Sequence, residues 1–262
     1  MRARQKGEIS LALLEVKDFS VSYNKKKKTV KNVSLTVENT DILGVVGESG
    51  SGKTTLTKGI LSQLKLTEGE VTIEGNPVKN LSRKELSKNI QMIFQNPAGS
   101  FNSQYKVGTS LLEVAKIHKI NKSEYEKRLE SLLEKTGLSP ELLERYPSQL
   151  SGGQLQRFAI CRALLIQPKV LIADEAVSAL DVSIRGDILK LLLKLHKELG
   201  IGIIFISHDL NVVHSICNKV VVLYHGEIVE AGETDKVYHN PEHEYTKVLL
   251  NSRTKTHPDE AV

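Results

Sequence analysis

The run Gly47-Glu48-Ser49-Gly50-Ser51-Gly52-Lys53-Thr54 fits the pattern GxxxxGK[ST], a spacing whose chemistry is phosphate binding. Its glycines let consecutive backbone N–H groups turn into one concavity, where they can donate to phosphate oxygens. Lys53 would neutralise the β- and γ-phosphate oxygens, Thr54 would offer its hydroxyl to Mg²⁺, and Thr55 follows as a further nucleotide contact. A second chemical feature is the carboxylate pair Asp174-Glu175, which ends the apolar run VLIADE. Successive side chains at the end of a strand diverge, so the two can serve different ends of one site. An unpaired carboxylate delivered by a buried strand is costly, so a cation is expected beside it. Asp174 is therefore assigned to Mg²⁺ through water, and Glu175 to polarising an attacking water. Each feature alone has a plainer reading, the glycines as a flexible turn and the carboxylates as a helix cap or ion-paired surface pair.

Phosphate chemistry of this kind needs a strand before the loop and a helix after it. ILGVVG (42–47) is a short apolar run that reads as the strand, and the residues from Lys53 to about Lys65 read as the helix. VTIEG, QMIFQ, VLIADE and IGIIFIS are further short apolar runs, mostly β-branched, of the kind covered on both faces in a parallel α/β sheet. Upstream, LLEVKDFSVSY (13–23) and VKNVSLTVE (30–38) alternate with period two around NKKKK, which predicts an antiparallel hairpin with a solvated lysine turn. VVVLYHGEIVEAG (220–232) predicts a last hairpin over His225-Gly226. Between QMIFQ and VLIADE the periodicity is helical, in SLLEVAKIH, YEKRLESLLEKTGL and GGQLQRFAICRALL. The expected domain covers residues 10–250 with a helical insert at about 97–165, followed by a polar tail, 251–262, expected to fray. Its phosphate loop and carboxylate pair together mark a P-loop NTPase with an α/β fold.

Composition narrows the class from the other side. Of 262 residues, 40% are hydrophobic and 26% charged, which is globular composition and excludes collagen-like and low-complexity classes. A formal charge of +5 suits an anionic partner without choosing among nucleotide, nucleic acid and membrane surface. Cys161 and Cys217 form no CxxC, so no disulfide, zinc or iron–sulfur framework is expected, and a reducing compartment fits. The start MRARQKGEIS lacks the apolar stretch of an export signal, and no apolar run approaches the length of a membrane span.

Leu150-Ser151-Gly152-Gly153-Gln154, followed by Leu155-Gln156-Arg157, reads as a helix N-cap with exposed N–H groups, a second anion-seeking helix start in the same chain. This run resembles the signature sequence of ATP-binding-cassette (ABC) ATPases, and it precedes the carboxylate strand as in that family. The resemblance implies an ATP hydrolase with ATP and Mg²⁺ as its cofactors, built as a mixed sheet core with an N-terminal antiparallel β-subdomain and an inserted helical subdomain. It implies a head-to-tail pair of ATPase subunits in which Ser151, Gly152, Gly153 and Gln154 of one close over the γ-phosphate held by the other. Further positions match in turn. Tyr23 resembles the aromatic residue that stacks on adenine, and Gln95 the glutamine that touches Mg²⁺ and water and senses the membrane subunit. Ser178-Ala179-Leu180-Asp181 resembles the loop that crosses the dimer interface, and His208 the switch histidine at the γ-phosphate. The resemblance thus makes Lys53, Glu175 and His208 the catalytic set, and Thr54, Gln95 and Asp174 the metal set.

QNPAGSFNSQYKVGTSL, SALDVSIR and NPEHEYTKVLL resemble segments of the peptide and nickel importer ATPases, with departures at Phe101, Ser103 and Glu244. That branch implies a nonidentical ATPase partner or a second copy, two transmembrane permease subunits, and an extracellular solute-binding protein acting indirectly. It also implies a peripheral position on the cytoplasmic face of the cell membrane, and no nucleic-acid partner. The competing reading is a non-transport ABC ATPase acting on nucleic acid or ribosomes; the single set of motifs, without heptads or zinc spacing, argues against it. Some relatives carry a C-terminal cysteine cluster for iron–sulfur binding, which two cysteines cannot supply. His239 and His243 have i, i+4 spacing, but Pro241 between them argues against a shared helical face and a metal site.

Overall fold

A computed structural model describes residues 12–24, 27–64 and 67–254; the side chains at 23, 24, 27, 28 and 252–254 lie outside that description. The predicted first hairpin is β1 (Leu14–Asn24) with β2 (Lys27–Val37), paired antiparallel from Leu14 opposite Val37 to Asn24 opposite Lys27. The middle of its lysine turn, residues 25–26, lies outside the described residues. Strict alternation along β1 fails at Asp18, whose φ of 47° accompanies a register shift between Val16 and Phe19. This bulge turns Phe19 inward, where it is fully buried.

The phosphate loop sits between β3 (Ile42–Val46) and α1 (Lys53–Ile60). α1 stops short of Lys65 because Ser62 enters the left-handed region, with φ of 51°. After it come β4 (Glu68–Ile73) and the short β5 (Asn76–Pro77), which complete a four-stranded antiparallel sheet in the order β2-β1-β4-β5. α2 (Arg83–Asn89), held by a Ser82–Glu85 capping box, leads into β6 (Ile90–Ile93).

From there to β7 (Val170–Asp174) no strand forms; the chain folds as α3 (Val107–His118), α4 (Lys122–Thr136) and α5 (Gly152–Leu164), with short 3-10 turns before α3 and between α4 and α5. Asn121 caps α4 at its start, and Gly137 ends it at φ 66°. α6 (Val182–Leu199), β8 (Gly202–Ser207), α7 (Leu210–Ile216), β9 (Lys219–Tyr224) and β10 (Glu227–Glu233) follow, then α8 (Thr234–His239) and α9 (Glu244–Thr254). Residues 251–254, counted with the frayed tail, continue α9, whose Tyr245 and Leu249 are buried; 255–262 lie outside the described residues.

The second sheet has the order β10-β9-β3-β8-β7-β6, with β9, β3, β8, β7 and β6 mutually parallel and β10 antiparallel at the edge. β3 and β8 are buried along their whole length, as continuous apolar runs require of strands covered on both faces. One core lies between the two sheets and α1, around Phe19, Val45, Leu56 and Ile172. The other lies under α5, α6 and α7, around Phe158, Ile188, Phe205 and Val213. Because these five strands run the same way, the residues that follow β3, β6, β7 and β8 leave the sheet at one edge. That edge is where ligands of open parallel sheets sit.

Candidate nucleotide site

At this edge the phosphate loop, Gln95, Asp174, Glu175 and His208 line one cleft of about 730 Å³, with Thr29 and Leu249 on its rim. Gly50 and Gly52 take φ of 82° and 113°, conformations that side-chained residues rarely adopt. A Cβ built on Gly50 would meet nothing within 4 Å, so the loop opens toward the cleft there. Gly52 is the N-cap of α1 and makes no side-chain cap bond, so the first N–H groups of that helix are left for an anion. Ser51 Oγ is buried in the loop without a hydrogen-bond partner, although Ser51 does not itself line the cleft.

Lys53 Nζ donates to the carbonyls of Gly47 and Glu48, the latter at 2.9 Å. Burial pushes the ammonium pKa below its usual value, against the pull of Glu175, Asp174 and Glu48. Burial, then the charge of Glu175, raises the Asp174 carboxyl above the usual range, with Lys53 opposing. Half-buried carboxylates facing one lysine are a donor set that a divalent cation would complete, so the residues present fit Mg²⁺ beside a polyphosphate.

Asp174 ends β7 and Glu175 steps out of it. Glu175 adopts φ of 47°, and its N–H donates to Ile206 O at 3.0 Å, which ties the turn to β8. The turn delivers its carboxylate to two other sequence-predicted residues. Oε1 lies 3.2 Å from His208 Nδ1, and Oε2 accepts from Gln95 Nε2 at 3.2 Å. Gln95 Nε2 also donates to Ser178 Oγ at 3.2 Å, and that hydroxyl donates to the Glu175 carbonyl at 2.9 Å. The candidate base is therefore hydrogen-bonded to the glutamine that follows β6 and lies within ion-pair distance of its histidine.

The signature residues are elsewhere. Ser151 caps α5 by accepting from Gln154 N, while Gln154 Oε1 accepts from Ser151 N, a complete capping box. Ser151 and Gly152 are exposed, and neither they nor Gln154 line the cleft. Buried Gln156 on the same helix donates to Ala176 O at 2.8 Å, linking the signature helix to the turn that holds Glu175. The backbone of Tyr23 lies in β1, and its side chain lies outside the described residues.

His239 closes α8 and His243 precedes α9, so the two do not share a helix. His239 lies instead beside His214 and Asp235, and His243 Nδ1 accepts from Tyr245 N at 3.1 Å. Sequence reasoning missed Tyr245, whose hydroxyl accepts from Glu48 N at 2.9 Å, and Leu249 at the cleft rim. The only signal for either was the segment NPEHEYTKVLL, which marks a branch and assigns no task.

The sequence matches the family model described as ABC transporter over residues 30–178. It is 43% identical over 255 residues to the oligopeptide transport ATP-binding protein OppF of Streptococcus mutans, an alignment covering 94% of this chain and 83% of the relative. The chain belongs to the ABC transporter family. The architecture agrees. cbiO1 of Clostridium perfringens, part of the ABC transporter complex cbiONQ, superimposes with a TM-score of 0.80 at 30% identity, over 87% of this chain and 91% of its own. A dimeric, post-hydrolysis ATP-binding cassette bound to ADP and Pi superimposes at 0.72 and 29% identity, over 84% of this chain and 98% of its own. As a member of this family the chain is an ATP-binding and ATP-hydrolysing protein with the ABC ATPase fold. Among its described residues no helix is long and apolar enough to cross a membrane.

Proposed function

We propose that this ABC ATPase energises the import of peptides by closing, with a second ATPase subunit, over two shared molecules of ATP. The observation that carries the reading is a cleft with loop, candidate cation ligands, base and histidine in one place while the second phosphate-seeking helix start lies outside it with Ser151 and Gly152 exposed. One subunit supplies half of each site, and the signature of its partner supplies the other half. Val182, 82% exposed at the start of α6 just after the Ser178–Asp181 loop, supports an interface there. The partner is a nonidentical paralogue or a second copy.

In the closed site the phosphate-loop N–H groups and Lys53 hold the polyphosphate, and Tyr23 stacks on the adenine. Thr54, Gln95 and Asp174 would hold Mg²⁺, which would screen charge developing on the phosphate oxygens. Glu175 orients the attacking water and takes its proton, and His208, already 3.2 Å from that carboxylate, faces the γ-phosphate. Catalysis is positioning plus charge neutralisation.

Transport needs a membrane path, assigned to two permease subunits that hold the protein peripherally on the cytoplasmic face. Support for their docking place is a groove lined by Leu61, Leu81, Met92 and Phe94, with Phe94 47% exposed directly before Gln95. Residues 97–165 form the adjacent helical insert that would move with them. The relative named for oligopeptide transport supports a peptide as cargo, recognised outside by a solute-binding protein and not by this chain. The test is uptake of labelled oligopeptides by cells carrying the native chain or Lys53→Ala. Loss of uptake with the native level of protein is expected; unchanged uptake would refute the energising role.

A further inference from the structure

We propose that Tyr245 is a positioning residue for the phosphate loop, so that the C-terminal helix α9 takes part in binding the nucleotide; the proposal rests on the cleft being the ATP site. The Tyr245 hydroxyl accepts the Glu48 N–H at 2.9 Å. That N–H belongs to the same planar peptide unit as the Gly47 carbonyl, to which Lys53 Nζ donates. Fixing one end of the unit fixes the other, so the tyrosine sets the direction of the carbonyl on which the phosphate-binding lysine rests. The next carbonyl, of Glu48, accepts from both Lys53 Nζ at 2.9 Å and Ser51 N at 3.2 Å. Tyr245, which does not line the cleft, therefore holds the first turn of the loop from outside it.

Its own position is over-determined. The ring is buried and stacks on Tyr224 with centroids 4.1 Å apart and planes at 29°. Tyr224 packs on His225, and the N–H of the following Gly226 donates to Ser51 O at 2.8 Å, so the β9–β10 turn braces the same loop. Tyr245 N donates to His243 Nδ1, and the N–H groups of Glu242 and His243 donate to the Glu230 carboxylate at 2.8 and 3.1 Å. One turn further along α9, Leu249 reaches the cleft rim. The segment that marks the branch in the sequence thus reaches the phosphate loop through Tyr245 and the cleft through Leu249.

Tyr245→Phe keeps the ring and removes the acceptor, while Tyr224→Phe removes a neighbouring hydroxyl that makes no bond to the loop. For Tyr245→Phe, the Kd and KM for MgATP should rise roughly two- to tenfold, the range of one net hydrogen bond, with kcat and Tm near native. Amide exchange at Glu48 should quicken in the same variant, and Tyr224→Phe should leave all four unchanged. Native Kd and native Glu48 exchange in Tyr245→Phe would overturn the proposal, as would a fall in Tm and kcat at unchanged Kd. Failure of the underlying reading looks different, since the native chain itself would then not bind MgATP.

Discussion

Glu175 holds a left-handed backbone conformation that costs a side-chained residue on the order of 1–3 kcal/mol, and its surroundings enforce it through Ile206 O, Gln95 and His208. Exposed Asp18 and Glu74 hold nearly the same φ, so what sets Glu175 apart is its place in the cleft beside Gln95 and His208. Glu175→Gln preserves shape and loses the charge; its turnover should fall roughly 10²–10⁴-fold with ATP binding retained, measured by phosphate release beside nucleotide titration. Native turnover would remove Glu175 from its role. At this scale most of the candidate site was legible, because GESGSGKT and VLIADE are recognisable by residue type and spacing alone. Tyr245 was not, since a tyrosine beyond the last strand gains a task only when the chain brings it back to Glu48.

Two junctions decide whether the elements present those residues. Gly153 lies where α5 meets α6, and an added Cβ would come within 2.8 Å of Ile184 Cγ2. Gly153→Ala should therefore displace the signature helix, lowering ATP turnover while MgATP affinity of the isolated subunit stays near native; native turnover would show that the helix start can shift freely. The other junction is the start of β3, where buried Asp41 accepts from Glu38 N, Lys219 Nζ and Asn218 Nδ2 at 2.9–3.0 Å. Burial alone would raise its carboxyl, but the Glu38 N–H, Lys219 and Asn218 outweigh it and hold the pKa below the usual value. A lowered folded pKa means stability present above the ordinary aspartate range and lost as pH falls through the folded value. Asp41→Ala should cost about 1–3 kcal/mol at neutral pH in urea unfolding, and the gap from native should narrow on acidification. A gap independent of pH would deny the carboxylate that part. Strand identity was legible here from runs such as IGIIFIS, whereas the bulge at Asp18 and the early stop of α1 were not, being set by packing of Phe19 and by a left-handed Ser62.

For the molecule as a whole, the separation of signature from cleft predicts that association depends on nucleotide. Mixed with its ATPase partner, or alone if the partner is a second copy, the Glu175→Gln chain should double in mass by light scattering on addition of MgATP and revert when nucleotide is removed. Ser151→Ala should weaken that association and cost the α5 cap about 1 kcal/mol. Mass that ignores ATP, with hydrolysis intact, would contradict the shared site.

The sequence by itself determined which residues carry the phosphate-loop pattern, which strands are buried on both faces, and that Ser151 starts a helix, because each is written in local type, spacing and periodicity. Only the tertiary structure decided that Lys53, Gln95, Asp174 and His208 meet. That follows from the strand order β3-β8-β7-β6, which local pattern does not encode. It alone also showed that the exposed signature stands apart from the cleft while Tyr245 lies against the loop, since proximity between distant segments is fixed by how the sheet buries its two faces.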